Sequence, residues 1–166
     1  MSRLFAFAMT LGLAVAACGP TGMSGPTMNN RMGSPETATA TVETTEILDR
    51  EPRSNSTKVK HILISWKDKA GAFHGGADPR SLERSKTDAE REVRSLMKQI
   101  GAGADFDTLM KAHSEDRGSA ETAEAYDVSP EAGLVIEFRR LGLRLDVNET
   151  GVVETDFGFH IIKRIE

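Results

Sequence analysis

Two histidines and one aspartate are the side chains of this sequence best suited to hydrogen-bond or proton chemistry near neutral pH. His61 and His160 each lie in an apolar segment, and Asp116 closes a Ser-Glu-Asp run between them. A neutral imidazole both donates and accepts hydrogen bonds, whereas a carboxylate only accepts them. If folding brings the three together, they can form a polar cluster in a site, bind a metal, or satisfy one another within a core.

Metal and thiol chemistry have little support in the spacing of residues. His74 and His113 are further candidate metal ligands, but no His-x-x-x-His pair would place two ligands on one helix. Cys18 is the only cysteine, which excludes an internal disulfide and a multi-cysteine zinc site. We therefore expect no metal and no cofactor, and a non-covalent role for the polar side chains.

The two histidines lie on predicted strands that bracket one domain. Lys58–Trp66 (KVKHILISW) and Phe159–Ile165 (FHIIKRI) are rich in β-branched residues, which favour extended structure. A further short strand is predicted around residues 152–153, between the breakers Gly151 and Gly158.

Helices are predicted between these strands. Thr87 and Glu90 form a capping-box pattern before apolar residues at helical spacing, and Asp105 can cap a second helix. Ser129-Pro130 can open a third, which continues through Phe138. By default, the apolar residues of these helices form core faces.

A long loop, residues 67–86, separates the first strand from the first helix. Four glycine or proline residues interrupt it, and it carries five basic against three acidic side chains. We expect this loop to be mobile, with solvated charges.

Composition limits the class of protein. The chain has 166 residues, of which 28% are charged and 39% hydrophobic, as expected for one soluble domain with some additional length. Lys and Arg total 21 against 25 for Asp and Glu, a balance without general attraction for nucleic-acid phosphates. Nucleic acid is therefore not an expected partner.

The N-terminal segment resembles a bacterial lipoprotein signal. Arg3 precedes an apolar run at residues 4–17, which is too short to span a bilayer comfortably and ends in Val-Ala-Ala before Cys18. The predicted organisation is a signal peptide at 1–17, a lipidated Cys18 with a flexible linker to residue 56, and a folded domain at 57–166. Gly19 favours the outer membrane of the bacterial envelope, facing the periplasm. The alternatives are an ordinary signal peptide beside a free cysteine and a buried N-terminal helix.

Four sequence blocks together resemble a parvulin-type, PpiC-like peptidyl-prolyl cis-trans isomerase. They cover about two thirds of the chain and occur in this order: Lys60–Ile64 (KHILI), Gly103–Leu109 (GADFDTL), His113–Asp116 (HSED) and Thr155–Lys163 (TDFGFHIIK). The fold that this resemblance implies is of the α+β class, a four-stranded antiparallel sheet surrounded by about four helices. The two histidines are then expected side by side on central strands.

The resemblance also implies the roles of individual residues. The implied catalytic group is His61, Asp116, Thr155 and His160, and the implied wall of a proline-binding pocket is Tyr126, Leu134, Phe138 and Phe157. The sequence departs from the family pattern at Glu124–Asp127, where a glycine-containing strand is usual, and in the segment after Phe138, which is one residue short.

The implied activity is rotation of X-Pro bonds in unfolded or extended polypeptides, in support of the folding of secreted or outer-membrane proteins. The alternative is a membrane-tethered, catalytically weak chaperone or peptide-binding module, which the altered residues 124–127 favour. A few parvulins read phosphorylated residues before proline with a basic loop. Arg80 and Arg84 would serve that purpose if their loop folded toward the pocket.

Overall fold

The computed structural model describes residues 41–72 and 76–166. Its helices are α1 (Thr45–Leu48), α2 (Pro79–Glu83), α3 (Lys86–Gly101), α4 (Phe106–His113), α5 (Arg117–Thr122) and α6 (Ile136–Gly142), with a 3-10 turn at Ala70–Ala72. Its strands are β1 (Thr57–Ile64), β2 (Tyr126–Val128), β3 (Thr150–Thr155) and β4 (Gly158–Arg164). The predicted signal peptide, Cys18, Gly19 and His74 lie outside the described residues.

The four strands form one antiparallel sheet in the order β2-β1-β4-β3. The predicted α+β class and four-stranded antiparallel sheet are confirmed, and the two strands that carry the histidines are its central pair. The described part of the chain contains six α-helices rather than about four. None of these helices has the length and apolar character needed to cross a membrane.

Each face of the sheet packs against its own core because side chains alternate along the strands. On one face, Ile62 and Ile64 of β1 join residues of α3 and α4. On the opposite face, Val59 of β1 and Ile162 of β4 pack against α6 and α1. His61 lies two residues after Val59 and His160 two before Ile162, so both histidines share the α6 face.

The N-terminal ends of α3 and α4 have side-chain caps. The hydroxyl of Ser85 accepts the backbone N–H of Asp88, so the cap of α3 is Ser85, two residues before the predicted cap at Thr87. Asp105 caps α4 as predicted, because its carboxylate accepts the N–H of Thr108 at 2.8 Å. These caps satisfy amide groups that have no partner within a helix.

Residues 42–53 are packed on the domain, which differs from the predicted linker to residue 56. The amide N–H of Thr44 donates to the carbonyl of Val152 at the free edge of β3, and that of Arg53 donates to Leu143. Ile47 is buried in the core against α6. Covering an exposed strand edge in this way satisfies backbone groups. The domain therefore begins about 15 residues before the predicted boundary at residue 57.

Helix α6 begins at Ile136, six residues after the predicted start at Ser129-Pro130. The amide of Ala132 instead bonds the carbonyl of Ser129, so Pro130 lies in a turn, where its fixed φ is equally favourable. Leu134 is consequently in the loop before α6 and not on the same helix as Phe138.

The described parts of loop 67–86 are held by hydrogen bonds and ion pairs, contrary to the prediction of a mobile loop with solvated charges. Arg84 contacts the carboxylates of Glu92 and Glu115 and donates to the carbonyl of Ser65. Arg80 is paired with Asp78 at 2.9 Å. Both guanidinium groups are therefore engaged within the domain.

Candidate active site

A cavity of about 380 Å³ opens on the face of the sheet that carries the histidines. Helix α6 packs on part of this face, and its Phe138 also lines the cavity. Its lining comprises His61, Leu63, Asp116, Tyr126, Gly133, Leu134, Val135, Phe138, Phe157 and His160. The structure thus brings together seven of the eight residues assigned to the site by sequence, while the eighth, Thr155, lies directly behind His160.

The two histidines are neighbours across the central strand pair. In the register of β1 and β4, Leu63 is opposite His160 and His61 is opposite Ile162, and the ring centroids of the histidines are 5.3 Å apart. Phe138 presents its ring edge-on to both imidazoles, at 5.2 and 5.4 Å between centroids. The paired imidazoles therefore form the polar floor of a largely apolar cavity.

Thr155 fixes the orientation of His160. Its hydroxyl oxygen lies 2.9 Å from Nε2 of His160, and it accepts the backbone N–H of Phe157 at 3.1 Å. Thr155 is buried at the end of β3, next to the two-residue turn that leads into β4. It contacts His160 through its hydroxyl group and does not line the cavity.

His160 is neutral at physiological pH. Burial, which disfavours the imidazolium form, is the main reason that its pKa is lowered to about 3, and the neighbouring His61 lowers it further. Within the described residues, Nδ1 of His160 and both ring nitrogens of His61 have no well-formed hydrogen-bond partner. All three nitrogens are shielded from solvent in this conformation.

Asp116 brings a carboxylate to the cavity from the N-cap position of α5. Its Oδ1 accepts the N–H of Gly118 at 3.2 Å, so the residue also caps the helix. Its Oδ2 lies 3.1 Å from Nε2 of His61, a close contact that is poorly aligned for a hydrogen bond. The adjacent imidazole of His61 is the largest cause that holds the pKa of Asp116 well below its usual range. Asp116 is therefore ionised.

The apolar wall of the cavity comes from two loops and α6. Leu134 precedes α6, Phe138 lies within it, and Phe157 is in the turn between β3 and β4. Sequence reasoning missed the contributions of Leu63 and Val135. Leu63 follows His61 by two residues, so the alternation of a strand was the signal that would have placed it on the same face.

The described residues do not place three His, Cys, Asp or Glu side chains where they could hold a metal ion. What the cavity offers is an apolar enclosure beside two imidazoles and one carboxylate. Such an arrangement can hold a small apolar ring and present polar groups to an adjacent amide.

The neutral state of buried His160 predicts a loss of stability in acid. Its pKa is lower in the folded chain than in the unfolded chain, so unfolding takes up a proton at pH values between about 6.5 and 3. Stability is therefore retained above pH 6.5 and declines below it. We expect His160 to lower the free energy of unfolding by about 2 kcal/mol between pH 7 and pH 5.

Urea unfolding at the two pH values measures this effect. A His160→Asn variant should lose the corresponding part of the pH dependence, whereas His113→Asn, on α4, should retain it. Equal pH dependence of the wild type and His160→Asn would contradict the assignment of a neutral buried His160.

The fold and the cavity together define a parvulin-type domain. Residues 42–166 match the family model described as the PPIC-type PPIase domain, and the chain belongs to this family of peptidyl-prolyl cis-trans isomerase domains. The match begins at residue 42, where the packed N-terminal segment begins.

Curated relatives include proteins named as foldases and chaperones. The chain is 29% identical over 118 residues to the foldase protein PrsA of Staphylococcus epidermidis. The aligned region covers 70% of this chain and 34% of that protein. It is 31% identical over 117 residues to the chaperone SurA of Methylococcus capsulatus, covering 70% and 23%. The matched region thus spans about a third or less of the length of these relatives.

Solved structures show the same fold. The solution structure of TbPIN1 aligns with 68% of this chain and 99% of its own, with a TM-score of 0.56 and 20% identity. The peptidyl-prolyl isomerase ESS1 of Candida albicans aligns over 68% and 63%, with a TM-score of 0.57 and 18% identity.

Proposed function

We propose that the whole protein is a peptidyl-prolyl cis-trans isomerase that acts on unfolded or extended polypeptides and assists their folding. The observation that carries this proposal is the apolar cavity beside two imidazoles and an ionised carboxylate, in a domain of the PPIC-type family. A cavity of about 380 Å³ has room for a pyrrolidine ring with its flanking backbone.

The reaction needs rotation about an amide bond and no bond cleavage. Amide resonance creates a barrier of about 18–20 kcal/mol, and the uncatalysed rotation takes about 10–100 s. A catalyst must therefore bind the twisted amide better than the planar one. An enclosure that excludes water and grips the proline ring contributes to this preference.

In the proposed site, the side chains divide into a ring-binding wall and a polar group. Leu134, Phe138 and Phe157 enclose the proline ring. An ionised Asp116 beside the amide disfavours the planar form, because resonance places negative charge on the carbonyl oxygen of that form. A neutral imidazole can donate a hydrogen bond to the amide nitrogen, whose lone pair becomes available when the amide twists.

The rate of cis-trans exchange of an Ala-Pro tetrapeptide tests the function. The full chain is the appropriate sample because residues 42–53 are packed on the domain. We expect catalysed exchange in the presence of the wild-type chain. Measurable peptide binding without catalysed exchange would instead favour the alternative of a peptide-binding chaperone.

The altered residues 124–127 are compatible with an intact site. Tyr126–Val128 forms the edge strand β2, and its register with β1 places Tyr126 opposite Val59. The backbone path of this segment therefore follows the sheet despite its lack of glycine. The engaged arginines of loop 67–86 favour a site without phosphate recognition by Arg80 and Arg84.

We further propose that the chain is a lipoprotein of the bacterial envelope, anchored at Cys18 in the outer membrane and facing the periplasm. The support is the lipobox-like sequence that ends at the single cysteine. Acyl chains contribute about 0.8 kcal/mol per buried methylene, and two or three chains hold far better than one.

Membrane fractionation of a Cys18→Ser variant tests this anchor. We expect the wild type to sediment with membranes and the variant to be released into the soluble fraction. A variant that remained with membranes would refute lipid anchoring at Cys18.

A further inference from the structure

Tyr126 occupies a central position in the site. Its ring lies 5.1 Å from His61 and 6.1 Å from Phe138, measured between centroids. It lines the main cavity and also a second cavity of about 310 Å³ that includes Ser119 and Glu124. A rim residue that only shaped an apolar pocket would need no hydroxyl group, yet the hydroxyl of Tyr126 is directed at a specific partner.

That partner is the carboxylate of Asp116. The phenol donates a hydrogen bond of 3.0 Å to Oδ2, the same oxygen that lies 3.1 Å from His61 Nε2. The other carboxylate oxygen accepts the backbone N–H of Gly118. Because the approach of His61 is poorly aligned, the phenol is the well-formed donor to Oδ2. It therefore limits rotation of the carboxylate about its last torsion angle.

The charges around Asp116 are consistent with this arrangement. It faces His61 from β1, His160 from β4 and Tyr126 from β2. Burial, together with the nearby carboxylate, raises the pKa of Tyr126 to about 12, so the phenol remains a donor at physiological pH. Its hydrogen bond also contributes to the low pKa of Asp116, after the larger effect of His61.

We propose that Tyr126 is a positioning residue, whose hydroxyl holds the Asp116 carboxylate in one orientation beside the amide that is to be rotated. This inference rests on the proposed isomerase function. It predicts that the hydroxyl supports turnover, whereas the ring supports the shape of the cavity.

Steady-state kinetics of a Tyr126→Phe variant in the full chain separate these two contributions. A hydrogen bond to a charged group is usually stronger than one between neutral groups. We expect kcat to fall roughly tenfold and KM to stay within about twofold, because the ring that lines the cavity is retained. The Asp127→Asn variant is a matched control on the same strand, with an exposed side chain, and should retain the wild-type kcat.

A double-mutant cycle tests whether Tyr126 acts through Asp116. In an Asp116→Ala background, Tyr126→Phe should cause little further loss of kcat, because the partner of the hydroxyl is already absent. Additive losses would overturn the proposal, as would a Tyr126→Phe variant with an unchanged kcat.

Titration of the Asp116 carboxyl carbon by NMR provides a readout that does not depend on turnover. Loss of a donor to the ionised form should raise the pKa of Asp116 in Tyr126→Phe and leave it unchanged in Asp127→Asn. An unchanged value in Tyr126→Phe would overturn the proposal. A wild type without catalysed exchange would refute the isomerase function and the positioning role together, whereas an active wild type with an unaltered variant would refute only the latter.

Discussion

Replacing Leu134 by alanine should lower kcat/KM for an Ala-Pro tetrapeptide by roughly 10- to 30-fold, equivalent to about 1.4–2 kcal/mol of transition-state stabilisation. The side chain lies on the cavity wall in the loop before α6. A proline ring that binds there removes apolar surface from water, and most of this surface is lost when leucine is truncated. The effect should exceed the loss expected for the single hydrogen bond of Tyr126.

Truncation of Leu134 tests binding of the proline ring with less effect on folding than truncation of Phe138 would have. Phe138 is 3% exposed and contacts both imidazoles, so its truncation would leave a cavity in the core as well as alter the site. Leu134 is only partly buried at the margin of that core. The free energy of unfolding of Leu134→Ala should therefore fall by only about 1 kcal/mol.

Leu82→Ala is the matched control for this prediction. Leu82 is a leucine of α2 that is 57% exposed and does not line the cavity. Kinetics of catalysed cis-trans exchange should show no change for Leu82→Ala. If Leu134→Ala retained the wild-type kcat/KM while folded, the assignment of this cavity to the proline ring would be wrong.

The sequence predicted which residues form the site better than it predicted how their side chains are arranged. Sequence blocks at both ends of the domain placed His61 and His160 on strands, and the sheet register explains why they meet. The direction of the Tyr126 hydroxyl toward Asp116 had no sequence signal, because it depends on how an edge strand and the start of α5 approach each other in space.

The N-terminal boundary shows a different limit of sequence reasoning. Residues 42–53 have no helical or strand period, and their stability on the domain comes from backbone pairing with β3 and the burial of Ile47. Gly151, expected only to precede a strand, lies inside β3, where a Cβ atom would be 2.8 Å from Oγ1 of Thr44. The absence of a side chain there allows the segment to approach the strand closely.

Gly158→Ala should be the most destabilising of these substitutions, by about 3–5 kcal/mol. Gly158 closes the turn between β3 and β4 with a φ of +135°, a conformation that L-residues rarely adopt. An added Cβ would lie 2.6 Å from the carbonyl oxygen of Ile64 and 2.8 Å from Cα of Ser65. Both are backbone atoms, so relief of the clash requires separation of β1 from β4.

Separation of β1 from β4 would also disturb the site, because these two strands carry the two histidines. Total stabilities of domains are usually about 5–15 kcal/mol, so the expected loss would leave a small margin or unfold the chain. Urea denaturation followed by circular dichroism measures the loss of stability.

The control is Gly101→Ala, at the exposed end of α3 with no atom near the added Cβ. This variant should be neutral or stabilising by up to about 1 kcal/mol. A Gly158→Ala chain as stable as this control would show that β1 and β4 can be held apart without loss, and would contradict the close strand packing on which the paired histidines depend.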